Sequence, residues 1–241
     1  MNRIGFVVLV LLLFGAHCFA IDFMGPPATE LKSGQWKAGL IYSHSEQDIE
    51  VSSGTIAGID LSSGTIDDVE VNRYYAGAAV GIWDGWELNG RLGAAEVETD
   101  VDDVELDGGT DFAWSLGTKI TFASDEKIDW GALFQMSSLK GDDNIAGIDF
   151  EIDAVEMQIA VGPTFKMEGW KLYGGPFICL IDGDLDIKVP GDEESFDLEE
   201  DEMVGAYIGA EIDIAKNTCL AVEVAGISGG WGAGAAIGWR F

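Results

Sequence analysis

Carboxylates dominate the reactive side chains of this sequence. Asp182, Asp184 and Asp186 stand at alternate positions, and Glu193 falls twelfth when Asp182 is counted as first. Carboxylate oxygens are hard ligands suited to Ca²⁺ or Mg²⁺, and this spacing imitates a calcium loop. Ile187 occupies the sixth position, where such a loop needs glycine to turn. Alternating aspartates also arise where a strand runs out into solvent, so a solvated acidic rim is the competing reading. Four segments, 46–68, 96–111, 141–153 and 182–202, hold 6, 8, 5 and 11 acids against one lysine, Lys188. Loosely bound Ca²⁺ or Mg²⁺ is the one cofactor this pattern suggests.

His44 is the only histidine after residue 20, and Ser43 and Ser45 flank it. With a nearby acid these types could form a hydrolytic set. Catalysis requires mutual geometry that adjacency in sequence does not supply. The expectation is therefore a protein that is not an enzyme, with no catalytic residues assigned.

A third set is neither clustered nor acidic. Lys37, Arg73, Arg91, Lys119 and Arg240, with Glu87, Glu156, Glu211 and Glu223, stand among glycines in segments that alternate apolar with other residues. Trp36, Ala38, Leu40 and Tyr42 alternate with Lys37, Gly39, Ile41 and Ser43; Phe112 to Phe122 and Trp231 to Phe241 repeat the pattern. Period-two alternation puts each set on its own face of a β-strand, where a helix would need apolar residues at i, i+3 and i+4. Facing lipid, each Arg or Lys would cost ~2–4 kcal/mol. One face thus suits hydrocarbon and the other a polar interior where the charges pair. Trp36, Tyr74, Trp86, Trp130, Trp170, Trp231 and Trp239 near the segment ends suit aromatic girdles at a membrane–water interface.

The connections alternate as well. Short turns are expected at 83–85, 124–127, 166–169 and 215–217, and the four acidic segments are the long connections. The count is ten strands, with eight as the fallback. Asp84-Gly85-Trp86-Glu87-Leu88-Asn89-Gly90 recurs as Glu168-Gly169-Trp170-Lys171-Leu172-Tyr173-Gly174, and Ile56–Asp60 recurs at Ile145–Asp149. The offsets imply a four-strand unit used twice with two closing strands. Ser-Ser-Gly-Thr-Ile at 52–56 and 62–66 makes the first long connection a hairpin of its own.

Arg3, the apolar run from Ile4 to Phe14 and Cys18-Phe19-Ala20 read as a secretory signal peptide over 1–20, cleaved after Ala20. Residues 21–34 then form a periplasmic lead and 35–241 an outer-membrane barrel. Cys179 and Cys219, on strands separated by another and facing opposite ways, are expected as free, buried thiols. The formal charge is −30 over 241 residues, which excludes nucleic acid as a partner. With 47% of residues hydrophobic, the acid is segregated from the apolar sequence rather than spread through it.

Signal peptide, alternating strands and the terminal Gly238-Trp239-Arg240-Phe241 together resemble small bacterial outer-membrane β-barrel proteins, the OmpA-like and porin-like group. The resemblance covers the whole mature chain and is architectural, without a counterpart of a periplasmic domain. It implies an all-β, antiparallel up-and-down transmembrane barrel. It also implies outer-membrane lipid and lipopolysaccharide as surroundings, and a barrel-assembly machinery that reads Trp239 and Phe241. The leading expectation is a narrow porin-like channel preferring small cationic solutes, because acidic mouths concentrate cations. The alternative is a non-conducting structural or surface-binding barrel with divalent-cation-binding loops. An outer-membrane enzyme is the remote third.

Overall fold

The computed structural model describes residues 21–241 except 52–53, 57–58, 62–63, 102–103, 146–147, 190–191, 200–202 and 229. The expected signal peptide lies outside the described residues. Thirteen strands follow one another: β1 (Trp36–Val51), β2 (Gly54–Ile56), β3 (Ile59–Leu61), β4 (Gly64–Trp83), β5 (Trp86–Val101), β6 (Val104–Ser124), β7 (Ile128–Ile145), β8 (Ile148–Met167), β9 (Trp170–Val189), β10 (Asp192–Glu199), β11 (Met203–Ala215), β12 (Thr218–Ile227) and β13 (Gly230–Arg240). Ten of them, β1, β4–β9 and β11–β13, close into an antiparallel up-and-down barrel. β13 pairs with β1, and β8 with β9, so every barrel strand has two neighbours. Closure satisfies the backbone groups that an open edge would leave unpaired in lipid. The strand number is ten, not the fallback eight.

The long connections contain more strand than the sequence reading allowed. β5 and β6 stay paired as far as Val101↔Val104, and β7 and β8 as far as Ile145↔Ile148. The physical reason lies in the sequence: Val97, Thr99, Val101, Val104 and Leu106 keep alternating with acids beyond the hydrocarbon. β2 pairs with β3 as the expected small hairpin, and β10 folds back along the outer part of β9.

At the opposite end the connections are tight. Gly85 (φ +89°) and Gly169 (φ +77°) take the left-handed conformation that a two-residue hairpin turn requires. The repeated heptapeptide therefore falls at the β4–β5 and β8–β9 turns, four barrel strands apart. Its second copy also starts the strand that carries Lys171.

Alternation sorts the side chains as expected. Leu40, Leu92, Phe112, Leu116, Ile120, Ile208 and Val222 are exposed on the outer surface. Trp36, Trp83, Trp130, Trp170 and Trp239 ring the turn end, and Tyr42, Tyr74 and Trp231 the loop end. An apolar band bounded by aromatic rings is a surface built for a bilayer.

Candidate functional site: the filled lumen

The inward residues do not enclose an open tube. On one side Tyr207 packs against Tyr173 and Phe177, its ring centroid 6.2 Å from each of theirs. On the other lies the segment that sequence reading placed outside the barrel as a periplasmic lead, residues 21–34. The structure turns it inward: Gly34 (φ +78°) donates its N–H to the Gly81 carbonyl at 2.8 Å, and the chain runs up through the lumen. Ile21, Asp22, Phe23, Met24, Ala28 and Leu31 are buried there. No periodicity marks this segment, because it packs as an irregular strap and not as a strand or helix.

The strap fits where the wall has no side chain. A Cβ on Gly131 would lie 2.4 Å from Ala28 Cα, one on Gly81 2.1 Å from the Lys32 carbonyl oxygen, and one on Gly234 2.8 Å from the Phe23 ring. The inward glycines of the wall leave no free space either: Gly234 receives Phe23, Gly209 the Tyr173 ring, Gly117 the Asn89 amide, and Gly77 the Arg91 stem.

Charged side chains complete the fit. Asp22 Oδ2 accepts from Arg91 Nη1 at 3.2 Å and Gln135 Nε2 at 2.9 Å, while Ser43 Oγ donates to Oδ1 at 3.3 Å. Arg91 also donates to the Phe23 carbonyl at 2.6 Å, and its guanidinium lies 5.9 Å from that ring centroid. The Met24 and Gly25 N–H groups donate to the two Glu223 oxygens at 2.9 and 2.8 Å. Thr29 N–H donates to Thr121 Oγ1 at 2.9 Å, and Glu87 accepts the N–H groups of Glu30 and Leu31 at 3.0 and 3.2 Å. Nearest the turn end, Glu30 and Glu211 share Lys37, Lys171 and Arg240. Lys37 Nζ reaches them at 2.8 and 2.9 Å, Lys171 Nζ at 3.1 and 2.9 Å, and Arg240 Nη2 at 3.8 and 2.5 Å. Beside Asp22 of the strap, Arg73 pairs with Glu156 across the lumen at 3.1 Å, and Gln158 donates to the same carboxylate at 2.6 Å.

All nine charged residues expected in the lumen network are inside the barrel. Most are buried, Lys37 and Arg240 partly so. The sequence reading missed Asp22, Glu30, Lys171, Gln135 and Gln158. Position alone could have revealed Lys171, Gln135 and Gln158, which share the inward phase of their strands. For Asp22 and Glu30 the available signal was the excess of cations, five against four carboxylates, in the expected network.

Other candidates are placed apart. His44 Nδ1 lies 3.1 Å from Asn72 Oδ1 and its ring 5.5 Å from that of Trp231, on the face opposite the buried Ser43 and Ser45. The suggested hydrolytic set is therefore not assembled. Asp182, Asp184 and Asp186 lie on β9 and Glu193 on β10 opposite Lys188, along a hairpin and not in a compact loop. The side chains of Asp184, Asp186 and Glu193 lie outside the described residues. Among the described residues no group of three or more His, Cys, Asp or Glu is placed to hold a metal ion.

Cys179 and Cys219 form no disulfide and are buried, as expected, but both face inward. They stay apart because they pair with Met203 and Asp213 on the intervening β11. That is ten residues of strand, or ~33 Å at ~3.3 Å per residue.

A closed ten-stranded barrel with a lipid-type outer band, aromatic girdles and a charged, filled lumen is a small outer-membrane β-barrel protein. The short turns then face the periplasm and the acidic hairpins the exterior. The fold is similar to that of the outer-membrane protease OmpT from Escherichia coli, with a TM-score of 0.50 and 9% identity over 92% of this chain and 99% of that one. Two further similar structures are the outer-membrane protein AlkL (TM-score 0.48, 13% identity, 93% and 96% of the two chains) and the autotransporter NalP translocator domain from Neisseria meningitidis (0.46, 12%, 88% and 90%). No protein-family model and no curated protein sequence matches the chain.

Proposed function

We propose that this protein is an outer-membrane channel whose lumen is closed, in the state described, by its own N-terminal segment. The observation that carries the reading is how residues 21–31 are held. The contacts given above run through side chains of the wall, and no β-ladder joins the segment to the barrel. Withdrawal would therefore leave the ladder hydrogen bonds of all ten strands intact. A cation preference, expected from the acidic exterior, gains no support from a lumen in which cations outnumber the wall's buried carboxylates. The same reading makes lipopolysaccharide and its divalent ions the neighbours of the acidic hairpins. It also makes Trp239 and the exposed Phe241 the signal offered to an assembly machinery.

A second reading is a permanently occluded structural or binding barrel. It is favoured by the space left over: a cavity of ≈ 90 Å³ remains between strap and wall. Planar-bilayer conductance separates the two. The mature protein should be closed most of the time, and a variant lacking residues 21–31 should conduct in stable steps. A folded deletion variant that stays silent would refute the channel and leave the structural barrel.

A further inference from the structure

The strap presents two carboxylates, and the wall has built a receptor for each. Asp22, fully buried, is held by Arg91, Gln135 and Ser43, which come from β5, β7 and β1. Glu30 is held by Lys37, Lys171 and Arg240, from β1, β9 and β13. These donors stand on barrel strands whose ladder hydrogen bonds do not involve the strap.

Two further groups point the same way. Lys119 is 6% exposed and stands cross-strand from Glu87, with no hydrogen bond or salt bridge of its own among the described residues. It lines the ≈ 90 Å³ cavity together with Lys37, Arg91 and Asn89 and the carboxylates of Glu30, Glu87 and Glu211. Both polar atoms of the Asn89 amide are buried without a partner.

Charge decides what such a lumen takes in. The interior wall groups named above are six cations (Lys37, Arg73, Arg91, Lys119, Lys171 and Arg240) and four carboxylates (Glu87, Glu156, Glu211 and Glu223). Asp22 and Glu30 bring the acids to six and the interior to balance. Toward the two mouths, Asp111 is partly exposed, and Asp213 is exposed and pairs with Arg240 at 2.9 Å. Without the strap, the interior cations exceed the interior acids by two. Buried charge left unpaired is strongly unfavourable, and an anion that enters relieves it.

We propose that the lumen is a binding site for small carboxylate anions, which take the places of Asp22 and Glu30 when the strap withdraws. The strap is then a tethered competitor, holding its own carboxylates where a solute's would bind. Arg fits a carboxylate with paired N–H donors, and Lys adds point charge, so the two receptors suit the same chemical group. This inference rests on the channel reading for the strap's withdrawal, but it concerns binding and is tested as binding.

The test uses succinate as probe and ethylenediamine, a dication of similar size, as control, titrated by calorimetry in detergent. The protein is tested with and without residues 21–31. The deletion variant is expected to bind succinate at least tenfold more tightly than the intact chain and to bind no ethylenediamine. Arg91→Gln together with Lys171→Gln should weaken the succinate binding at least tenfold. If the deletion variant does not fold, Gly131→Ala in the full chain, which crowds the strap without removing it, takes its place. No succinate binding, or preference for the dication, overturns the proposal. A variant that conducts without binding succinate leaves the channel standing and sinks the carboxylate site. One that binds succinate but never conducts supports the site and sinks the channel.

Discussion

Replacing Gly131 by alanine tests the strap with a single methyl group. The new Cβ would lie 2.4 Å from Ala28 Cα and 2.5 Å from both Ala28 N and the Pro27 carbonyl oxygen, whereas ordinary contact begins at 3.4 Å. The strap must retreat by about 1 Å, and these are backbone atoms that no rotamer change can move. Overpacking of this kind costs ~1–3 kcal/mol. The cost falls on the plugged state alone, since an open lumen has room for the methyl. At ~1.4 kcal/mol per factor of ten, the plugged-to-open ratio should fall ~5- to 140-fold. Open probability in planar bilayers and hydrogen exchange of residues 21–31 both report that ratio. Gly90→Ala is the control, because its Cβ would meet the flexible Leu116 side chain at 3.3 Å and the Ser115 carbonyl oxygen at an ordinary 3.9 Å. If Gly131→Ala leaves strap protection and conductance at wild-type levels, the wall flexes to absorb the methyl, and the idea of a tightly fitted, displaceable strap is wrong.

Four other outcomes follow from the same geometry. Arg73→Met should cost ~3–5 kcal/mol in urea unfolding, because Glu156 is left buried and uncompensated, whereas Arg73→Met with Glu156→Leu should recover most of it; equal losses in the two variants would mean that the pair is not coupled. Leu92, 61% exposed on the outer band, should cost ~2–4 kcal/mol on replacement by Arg when folding is titrated in lipid vesicles, and indifference would place that surface outside the hydrocarbon. In the β6–β7 turn, Asp125 accepts the Lys127 and Ile128 N–H groups at 2.7 and 2.8 Å, which holds its carboxyl below the usual range. Its stabilising effect is present above the unfolded-state value and lost as pH falls through the lowered one, so Asp125→Ala should shrink the acid-side loss of thermal stability and leave a gap from wild type at neutral pH. Phe241→Ala, which removes the exposed ring of a residue whose backbone pairs with Trp36, should lower the yield of assembled barrel in cells several-fold with little change in refolding from urea; an equal drop in both would make the ring a stability element and not an assembly signal.

The wall was legible in the sequence because a barrel strand answers to two local conditions at once, lipid outside and polar interior inside. Leu40, Leu92 and Phe112 must face one way, and Lys37, Arg91 and Lys119 the other, so period-two alternation records the register residue by residue. The turn at Gly85 and its repeat at Gly169 recorded strand direction for a similarly local reason.

The contents of the lumen were not legible. Ile21–Leu31 obeys no period, and its partners, Arg91, Glu223, Thr121 and Gly131, lie on four different strands far along the chain. Their side chains meet only after β13 has closed on β1 and β8 on β9. The surplus of inward cations hinted that carboxylates were missing from the interior, yet nothing local to Asp22 or Glu30 said that they would supply them. Sequence determined what each residue of the wall faces, because that depends on its nearest neighbours along the strand. Only the closed barrel decided what fills the lumen, because filling depends on the shape and charge that ten strands leave at their common axis.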